Sequence, residues 1–202
     1  MVTFIGMKLD DPGFENELVS LRVLTEADRE TLAGTTAVES MWQWMPVIAT
    51  GTNFHSYFDH TLELKQTGDY IPFTIWRKSD GAFAGVVAYA DISRTHRRLR
   101  IASLWIVEDM RGTAIVPAVQ LATIERAVAS RIRRIEILTP EANERSVRSI
   151  ERFGAKREGT LRSYIRMANG TWADMVVLSL VGDEAKAAMA VLQDRVREMQ
   201  QA

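Results

Sequence analysis

The stretch Arg111-Gly112-Thr113-Ala114-Ile115-Val116-Pro117 lies between a strand-like apolar run and a long helical pattern. Gly112 permits the tight turn that a change from strand to helix requires, and Pro117 is tolerated in a first helical turn. The free amides of that turn, with the positive helix end, can bind a phosphate or pyrophosphate. Arg111 can add a charge-assisted contact. Taken alone, so short a motif is better explained as an ordinary strand-to-helix loop.

Outward from this loop, hydrophobic periodicity predicts a mixed α/β fold with about seven strands. The strands are expected over residues 18–24, 72–77, 84–92, 99–107, 134–139, 160–167 and 172–181. Helices are expected from Thr25 and over residues 53–66, 113–130, 143–153 and 183–201. One crossover helix therefore follows the fourth strand, and the turns Asp80-Gly81 and Asn169-Gly170 close two hairpins.

Bulk composition limits the classes of protein to consider. With 202 residues and no linker or repeat, residues 1–202 are expected to form one domain. A net charge of −1 gives no electrostatic case for nucleic acid or an anionic membrane. The absence of cysteine excludes disulfides, thiolate catalysis and cysteine-bound zinc. No signal peptide or membrane span is recognised, so a cytoplasmic location is expected.

About thirty residues beyond the loop come three further segments: Asn143-Glu144-Arg145-Ser146, Ile150-Glu151-Arg152-Phe153-Gly154-Ala155 and Glu158-Gly159-Thr160-Leu161-Arg162. Together with the Arg111-Gly112-Thr113 loop, they resemble the RimJ/RimL-like acetyltransferases of the GNAT superfamily. The resemblance includes Gly85, Trp105 and Gly170-Thr171-Trp172 and covers about residues 17 to 181. Each motif is weak by itself, and their order and spacing carry the signal.

This resemblance implies a mostly antiparallel, twisted sheet whose fourth and fifth strands splay apart to hold acetyl-CoA as cosubstrate. Ile106 and Val107 would pair with the pantetheine amides, and the loop from Arg111 through Gly112, Thr113, Ala114 and Ile115 to Val116 would hold the pyrophosphate. Asn143 and Ser146 would contact pantetheine, although Asn143 also fits a plain helix N-cap. Arg152, in a cluster with Arg145 and Arg148, would reach the 3′-phosphate.

Two catalytic positions depart from the family pattern. Arg100-Ile101-Ala102 stands where related sequences carry a glutamate before Ile-Gly, and Ile150 stands where many members carry a tyrosine. Ile150 is in step with Val147 and Phe153, as a core residue would be. Asp91 and Ser149 are the replacement candidates, with Glu136 and His96 as looser ones; for each, a solvated or paired group is the competing explanation.

The acceptor side is less defined by the sequence. Trp42 and Trp44 fall in a segment that lines the acceptor pocket in the family, although core or dimer contacts explain them as well. His55 and His60 are five residues apart, a poor spacing for one metal site, and no metal is predicted. The C-terminal helix presents Ala187, Val191, Leu192 and Val196, which would pack on the sheet or on a second subunit in a homodimer.

The expected function is acetyl transfer to a primary amine through a ternary complex. The acceptor would be a protein N-terminus, an amino acid or another small amine. Without a strong base, an α-amine is the easier substrate, because roughly a third of it is neutral at pH 7.5 whereas a lysine is about 0.1% neutral. The alternative function is a CoA or acyl-CoA sensor with degenerate catalysis.

Overall fold

A computed structural model describes residue 9, residues 13–35 and residues 42–201, and an eight-stranded sheet runs through this part of the chain. The strands are β1 (Gly13–Glu15), β2 (Val19–Val23), β3 (Ile71–Arg77), β4 (Phe83–Ser93), β5 (Arg98–Ile106), β6 (Arg134–Pro140), β7 (Lys156–Arg166) and β8 (Trp172–Val181). The predicted strands are all present. The additional one, β1, has only three residues and is too short for a hydrophobic pattern to reveal.

The strand order is β1-β2-β3-β4-β5-β6-β8-β7. Every neighbouring pair is antiparallel except β5 and β6, which run parallel. A parallel pair needs a long crossover connection, and a helix between β5 and β6 supplies it. The prediction of a mixed, mostly antiparallel sheet is thus confirmed, with its single parallel pair at the predicted crossover.

Five α-helices flank the sheet in the described part of the chain. They are α1 (Arg29–Thr35), α2 (Thr52–Gln66), α3 (Ile115–Ala129), α4 (Glu144–Arg152) and α5 (Glu184–Gln201). Short 3₁₀ turns precede α1 at Glu26–Asp28 and follow β5 at Glu108–Met110. Among these helices, none combines the length and the apolar character needed to cross a bilayer.

Two hydrophobic cores lie on opposite faces of the sheet. The first core is covered by α3, α4 and α5 and includes Leu99, Ile124 and Leu178. The second core is covered by α1 and α2 and includes Trp42 and Trp105. Burial of side chains on both faces explains why β3 and β4 are almost continuously apolar rather than alternating.

Helix α5 packs within its own chain, along α3 and the end of β8. Its buried residues are Ala185, Ala188, Leu192 and Val196. Leu192 and Val196 were predicted, whereas Ala187 and Val191 lie on the exposed side. The predicted contact face was therefore rotated by part of a helical turn. Apolar residues occur on several sides of this helix, so the sequence alone does not show which side is buried.

A β-bulge interrupts β5. Between the pairs Val86–Trp105 and Ala88–Ala102, β4 contributes one residue and β5 contributes two. Ser103 in the bulge has a φ of 54°, in the left-handed region. The extra residue reverses the side-chain alternation, so Ile101 and Ile106 both face the first core while Trp105 faces the second.

Strand β7 forms one edge of the sheet, and most of its side chains are exposed. Glu158 on this strand accepts hydrogen bonds from Arg134 Nη1 of β6 at 2.7 Å and from Ser179 Oγ of β8 at 2.7 Å. The Arg134 guanidinium first, and then the Ser179 hydroxyl, lower the pKa of Glu158 from 4.5 to about 2. This carboxylate therefore ties the edge strand to its neighbour β8 and to β6 beyond it.

The Glu158→Gln variant is expected to lose stability in a pH-dependent manner. A lowered pKa in the folded state stabilises the protein above the ordinary value of 4.5, and that contribution disappears as pH falls towards about 2. Because the side chain is 40% exposed, the loss at pH 7 should be about 1 kcal/mol. Urea unfolding at pH 7 and pH 3 should show the difference shrinking, while exposed Glu198→Gln shows no such trend. A constant difference would contradict the assignment.

Candidate functional site

The parallel strands β5 and β6 separate part of the way along their length. Their pairing runs from Arg98–Arg134 to Ile101–Ile137 and then stops, although β5 continues to Ile106. No described strand pairs with that side of β5 beyond Ile101. The opening, called here the strand gap, leaves backbone donors and acceptors of β5 available to a ligand.

A cavity of about 360 Å³ fills the strand gap and reaches both faces of the sheet. On the first face it is lined by Gln120, Thr123 and Ile124 of α3 and by Asn143, Ser146, Ile150 and Phe153 around α4. On the second face it is lined by Trp44, Met45 and Pro46. The cavity is mostly apolar with a few polar side chains, which is typical of a ligand site.

The amino end of α4 sits at this cavity. The side chain of Asn143 accepts a hydrogen bond from the backbone amide of Ser146 at 3.3 Å, so Asn143 is the helix N-cap. Asn143 and Ser146 both line the cavity, so the structural and ligand-facing interpretations of Asn143 are compatible. Ile150 is only 4% exposed and packs in the first core while also forming part of the cavity wall.

The loop before α3 turns at Gly112, whose φ is 74°. Thr113 Oγ1 donates to the Met110 carbonyl at 2.7 Å and accepts from the Ile115 amide at 3.3 Å. Ala114 is the N-cap, and α3 begins at Ile115 rather than at residue 113 as predicted. The threonine hydroxyl therefore holds the turn that starts the helix, and Val116 lies in the first helical turn.

The end of β5 is already engaged by protein groups. Arg111 Nε donates to the Ile106 carbonyl at 2.9 Å, and the Val107 amide donates to the Ala84 carbonyl at 2.9 Å. The β5 residues that line the cavity run from Arg100 to Leu104, upstream of the predicted pair Ile106 and Val107. Arg111 thus fastens the loop to the strand, and the open backbone lies closer to the bulge.

The charged candidates gather in a second cavity of about 490 Å³ beside the strand gap. Asp91 forms an ion pair with Arg100, with 2.8 Å between Oδ2 and Nη2, and Glu136 bonds to Arg134 Nε at 2.6 Å. Arg100 lines both cavities, whereas Asp91 and Glu136 line only the second. Asp91 therefore adjoins the strand gap through Arg100, and its catalytic role stays a prediction.

Two other predicted residues lie away from the cavity in the strand gap. Ser149 is half-buried on α4 and is not part of the cavity wall. Arg152 lies with Asp194 and Glu198 in a shallow depression between α4 and α5. The catalytic role of Ser149 and the phosphate contact of Arg152 both stay predictions.

The sequence did not predict a cluster of hydroxyl side chains next to the bulge of β5. Tyr70 Oη is 3.4 Å from Ser103 Oγ. Burial raises the pKa of Tyr70, and burial followed by the nearby Tyr70 raises the pKa of Tyr57 to about 12. Both phenols therefore stay neutral at physiological pH and act as hydrogen-bonding groups, not bases. The break in the alternation of apolar residues at Ser103 of β5 was the sequence feature that could have indicated this cluster.

The two predicted acceptor-side tryptophans have different environments. Trp42 is 1% exposed and packs edge-on against Tyr57, with 5.2 Å between ring centroids, so it is a core residue. Trp44 is 37% exposed and lines both the cavity in the strand gap and a larger groove of about 1040 Å³. This outer groove runs between residues 42–48, residues 140–144 and the β7–β8 turn.

Metal ligation finds no candidate in residue 9, residues 13–35 or residues 42–201. No group of three or more His, Cys, Asp or Glu side chains in those ranges is arranged to hold an ion. The polar groups around the strand gap are instead amides, hydroxyls and the Arg100 guanidinium.

Comparison with known proteins gives a family match and a set of similar structures. The family model described as an acetyltransferase (GNAT) domain matches residues 19–156. No curated protein sequence matches the chain. A GCN5-related N-acetyltransferase from Brucella melitensis superposes with a TM-score of 0.81 at 22% identity, covering 91% of this chain and 85% of that one.

Two further structures were solved with ligands. RimJ of Mycobacterium smegmatis, in complex with CoA-disulfide, has a TM-score of 0.75 at 19% identity, covering 92% of this chain and 93% of that one. Spermidine N-acetyltransferase of Vibrio cholerae, in complex with CoA and spermine, has a TM-score of 0.70 at 14% identity, covering 85% of this chain and 99% of that one. Each supports the fold assigned above.

Proposed function

Because the chain belongs to the GNAT acetyltransferase family, we propose that it transfers an acetyl group from acetyl-CoA directly to a primary amine. The observation that carries this proposal is the cavity through the strand gap. Because the opening reaches both faces of the sheet, acetyl-CoA and the acceptor amine can be bound at the same time, as a ternary complex requires. The acceptor nitrogen would form its bond to the acetyl carbon as the thioester C–S bond breaks.

The residues around the strand gap fit the CoA side of this reaction. The narrow cavity and the unpaired edge of β5 suit a slender chain that carries amides. Ala102 to Leu104 would offer backbone groups to it, while Asn143 and Ser146 would contact it from α4. The loop from Arg111 to Val116 would take the pyrophosphate at the start of α3. Acetyl-CoA supplies the activated acetyl group, and these residues orient it.

A side chain that removes the proton from the acceptor amine would have to line the cavity. The described lining residues include no Asp, Glu or His, and the only charged one is Arg100. An acceptor that is already partly neutral therefore has the advantage, because a positioned base is typically worth about 10² to 10⁴ in rate. An α-amine, with a pKa of about 8, meets this condition better than a lysine.

The test is release of CoA from acetyl-CoA across small amines, amino acids and peptides. A peptide with a free N-terminus and no lysine is expected to exceed an N-terminally blocked peptide with one lysine by at least about 100-fold in kcat/KM at pH 7.5. For the free N-terminus, kcat/KM should rise with pH and level off above about pH 8. Preference for the lysine ε-amine would contradict the proposed acceptor class.

The sensor alternative makes the opposite prediction in the same assay. A CoA-binding module with degenerate catalysis would bind CoA by calorimetry and release none from acetyl-CoA with any amine. The family match supports the enzyme, whereas Arg100 and Ile150 at the two catalytic positions are the features that a sensor would explain. Turnover with one acceptor class would decide for the enzyme.

A further inference from the structure

The outer groove exposes two tryptophans. Trp172, at the start of β8, is 63% exposed, and Trp44 across the groove is 37% exposed. Large aromatic side chains are normally mostly buried, so a pair of them facing one groove needs an explanation. Indole rings offer flat, electron-rich faces that bind ammonium and guanidinium groups well. The aromatic surface by itself therefore favours a cationic occupant.

The charges that line the groove have one sign. Glu141, Glu144 and Asp174 line it, and the described lining residues include no Lys, Arg or His. Glu141 pairs with Arg157 at 2.5 Å and Glu144 with Arg148 at 2.8 Å, both from outside the lining.

Asp174 differs from these two glutamates because its hydrogen-bond partner is uncharged. It accepts one hydrogen bond, from the Ser163 backbone amide at 2.8 Å. A backbone donor carries no charge, so this hydrogen bond does not neutralise the Asp174 carboxylate at the groove.

The outer groove also leads into the strand gap. Trp44, Met45 and Pro140 line both the groove and the cavity in the gap. If the acceptor amine reacts in the gap, as the proposed function requires, the rest of the acceptor extends into the groove. The groove is nearly three times larger than the cavity, at about 1040 Å³ against about 360 Å³. Its size suits a peptide segment rather than a single small side chain.

We propose that the acceptor is a basic peptide, whose N-terminal amine enters the strand gap while lysine or arginine side chains behind it occupy the outer groove. The carboxylates attract these cations and the exposed tryptophans stack on them. This inference rests on the proposed function for the position of the amine. The choice of a basic segment rests on the groove itself.

The experiment compares peptides with the same first two residues and either lysines or glutamates at positions three to five. All lysines are dimethylated, which keeps their charge and prevents their acetylation. We expect kcat/KM to be at least about tenfold higher for the basic peptide at low salt. The ratio should approach one at 1 M salt, where the screening length is about 3 Å.

Two triple variants distinguish the effect of the charges in the groove from the effect of the net charge of the protein. Glu141→Gln, Glu144→Gln and Asp174→Asn together should remove most of the preference for the basic peptide. Asp183→Asn, Asp194→Asn and Glu198→Gln change the net charge equally, lie outside the groove lining and should keep the preference. Trp172→Ala should raise KM for the basic peptide with kcat little changed.

The outcomes distinguish this inference from the proposed function. Equal turnover of basic and acidic peptides, or loss of the preference in both triple variants, would overturn the basic acceptor and leave the acetyltransferase intact. If no peptide is turned over, the proposed N-terminal acetylation fails, and the groove is tested by calorimetry of the same peptides with CoA present. Binding without regard to peptide charge in that measurement would overturn the inference independently.

Discussion

The variant Ser146→Trp is expected to lose at least about two orders of magnitude in affinity for CoA, which is equivalent to about 2.7 kcal/mol. Ser146 lines the cavity from α4, and an indole at this position would fill much of the space of about 360 Å³. Because Ser146 is half-exposed and its side chain makes no hydrogen bond within the described part of the chain, the fold should tolerate the change. Calorimetric titration with CoA measures the loss directly.

Ser149→Trp is the matched control for that prediction. Ser149 has the same residue type, the same helix and a similar degree of exposure, but it does not line the cavity. Its CoA affinity should stay within about threefold of the parent, a change of less than about 0.7 kcal/mol. Equal losses in the two variants would show that α4 as a whole, rather than the cavity wall, was disturbed. Unchanged binding in Ser146→Trp would place CoA elsewhere.

Gly85→Ala is expected to cost at least about 3 kcal/mol of folding free energy. Gly85 has a φ of 151°, and a β-carbon at this position would lie 2.1 Å from the Trp105 carbonyl oxygen and 3.0 Å from the Ile106 α-carbon. Both neighbouring groups are backbone of β5, next to the bulge, so they cannot move aside without separating the two strands. Urea unfolding followed by circular dichroism measures the loss.

Gly159→Ala provides the contrast, because its β-carbon would meet nothing within 4 Å and its φ is not in the left-handed region. Its unfolding midpoint should match or slightly exceed that of the parent, since alanine restricts the unfolded chain. A Gly85→Ala midpoint equal to the Gly159→Ala midpoint would mean that β4 and β5 do not approach each other this closely.

Local patterns predicted the main elements around the site. The apolar runs gave the central strands, and the asparagine three residues before Ser146 gave the N-cap of α4. Spacing alone indicated that Ile150 and Phe153 face the core, which their burial confirms. These features depend on neighbours within a few residues, and such neighbours are visible in a sequence.

Other features depend on partners distant in the chain. Trp42 and Trp44 are two residues apart with the same chemistry, yet Trp42 is buried in the second core and Trp44 is 37% exposed. This difference comes from packing against α1 and α2, which lie elsewhere in the chain. Arg100 meets Asp91 because the hairpin register places it opposite Ala90, next to an irregularity in the pairing. Register shifts of this kind cannot be recognised from the hydrophobic periodicity of the sequence, so the ion pair could not be predicted.

Strand β7 is the longest free edge of the sheet, and its sequence has a consequence for self-association. Of the four cations along its eleven residues, Lys156 and Arg157 pair with Glu184 and Glu141, and Arg162 and Arg166 are the other two. Its pairing with β8 shifts register twice, and Ser163 adopts a φ of 47°. A second copy approaching this edge would meet its own positive charge and an uneven row of backbone groups. The edge is thus protected against growing into an aggregate through a ninth strand.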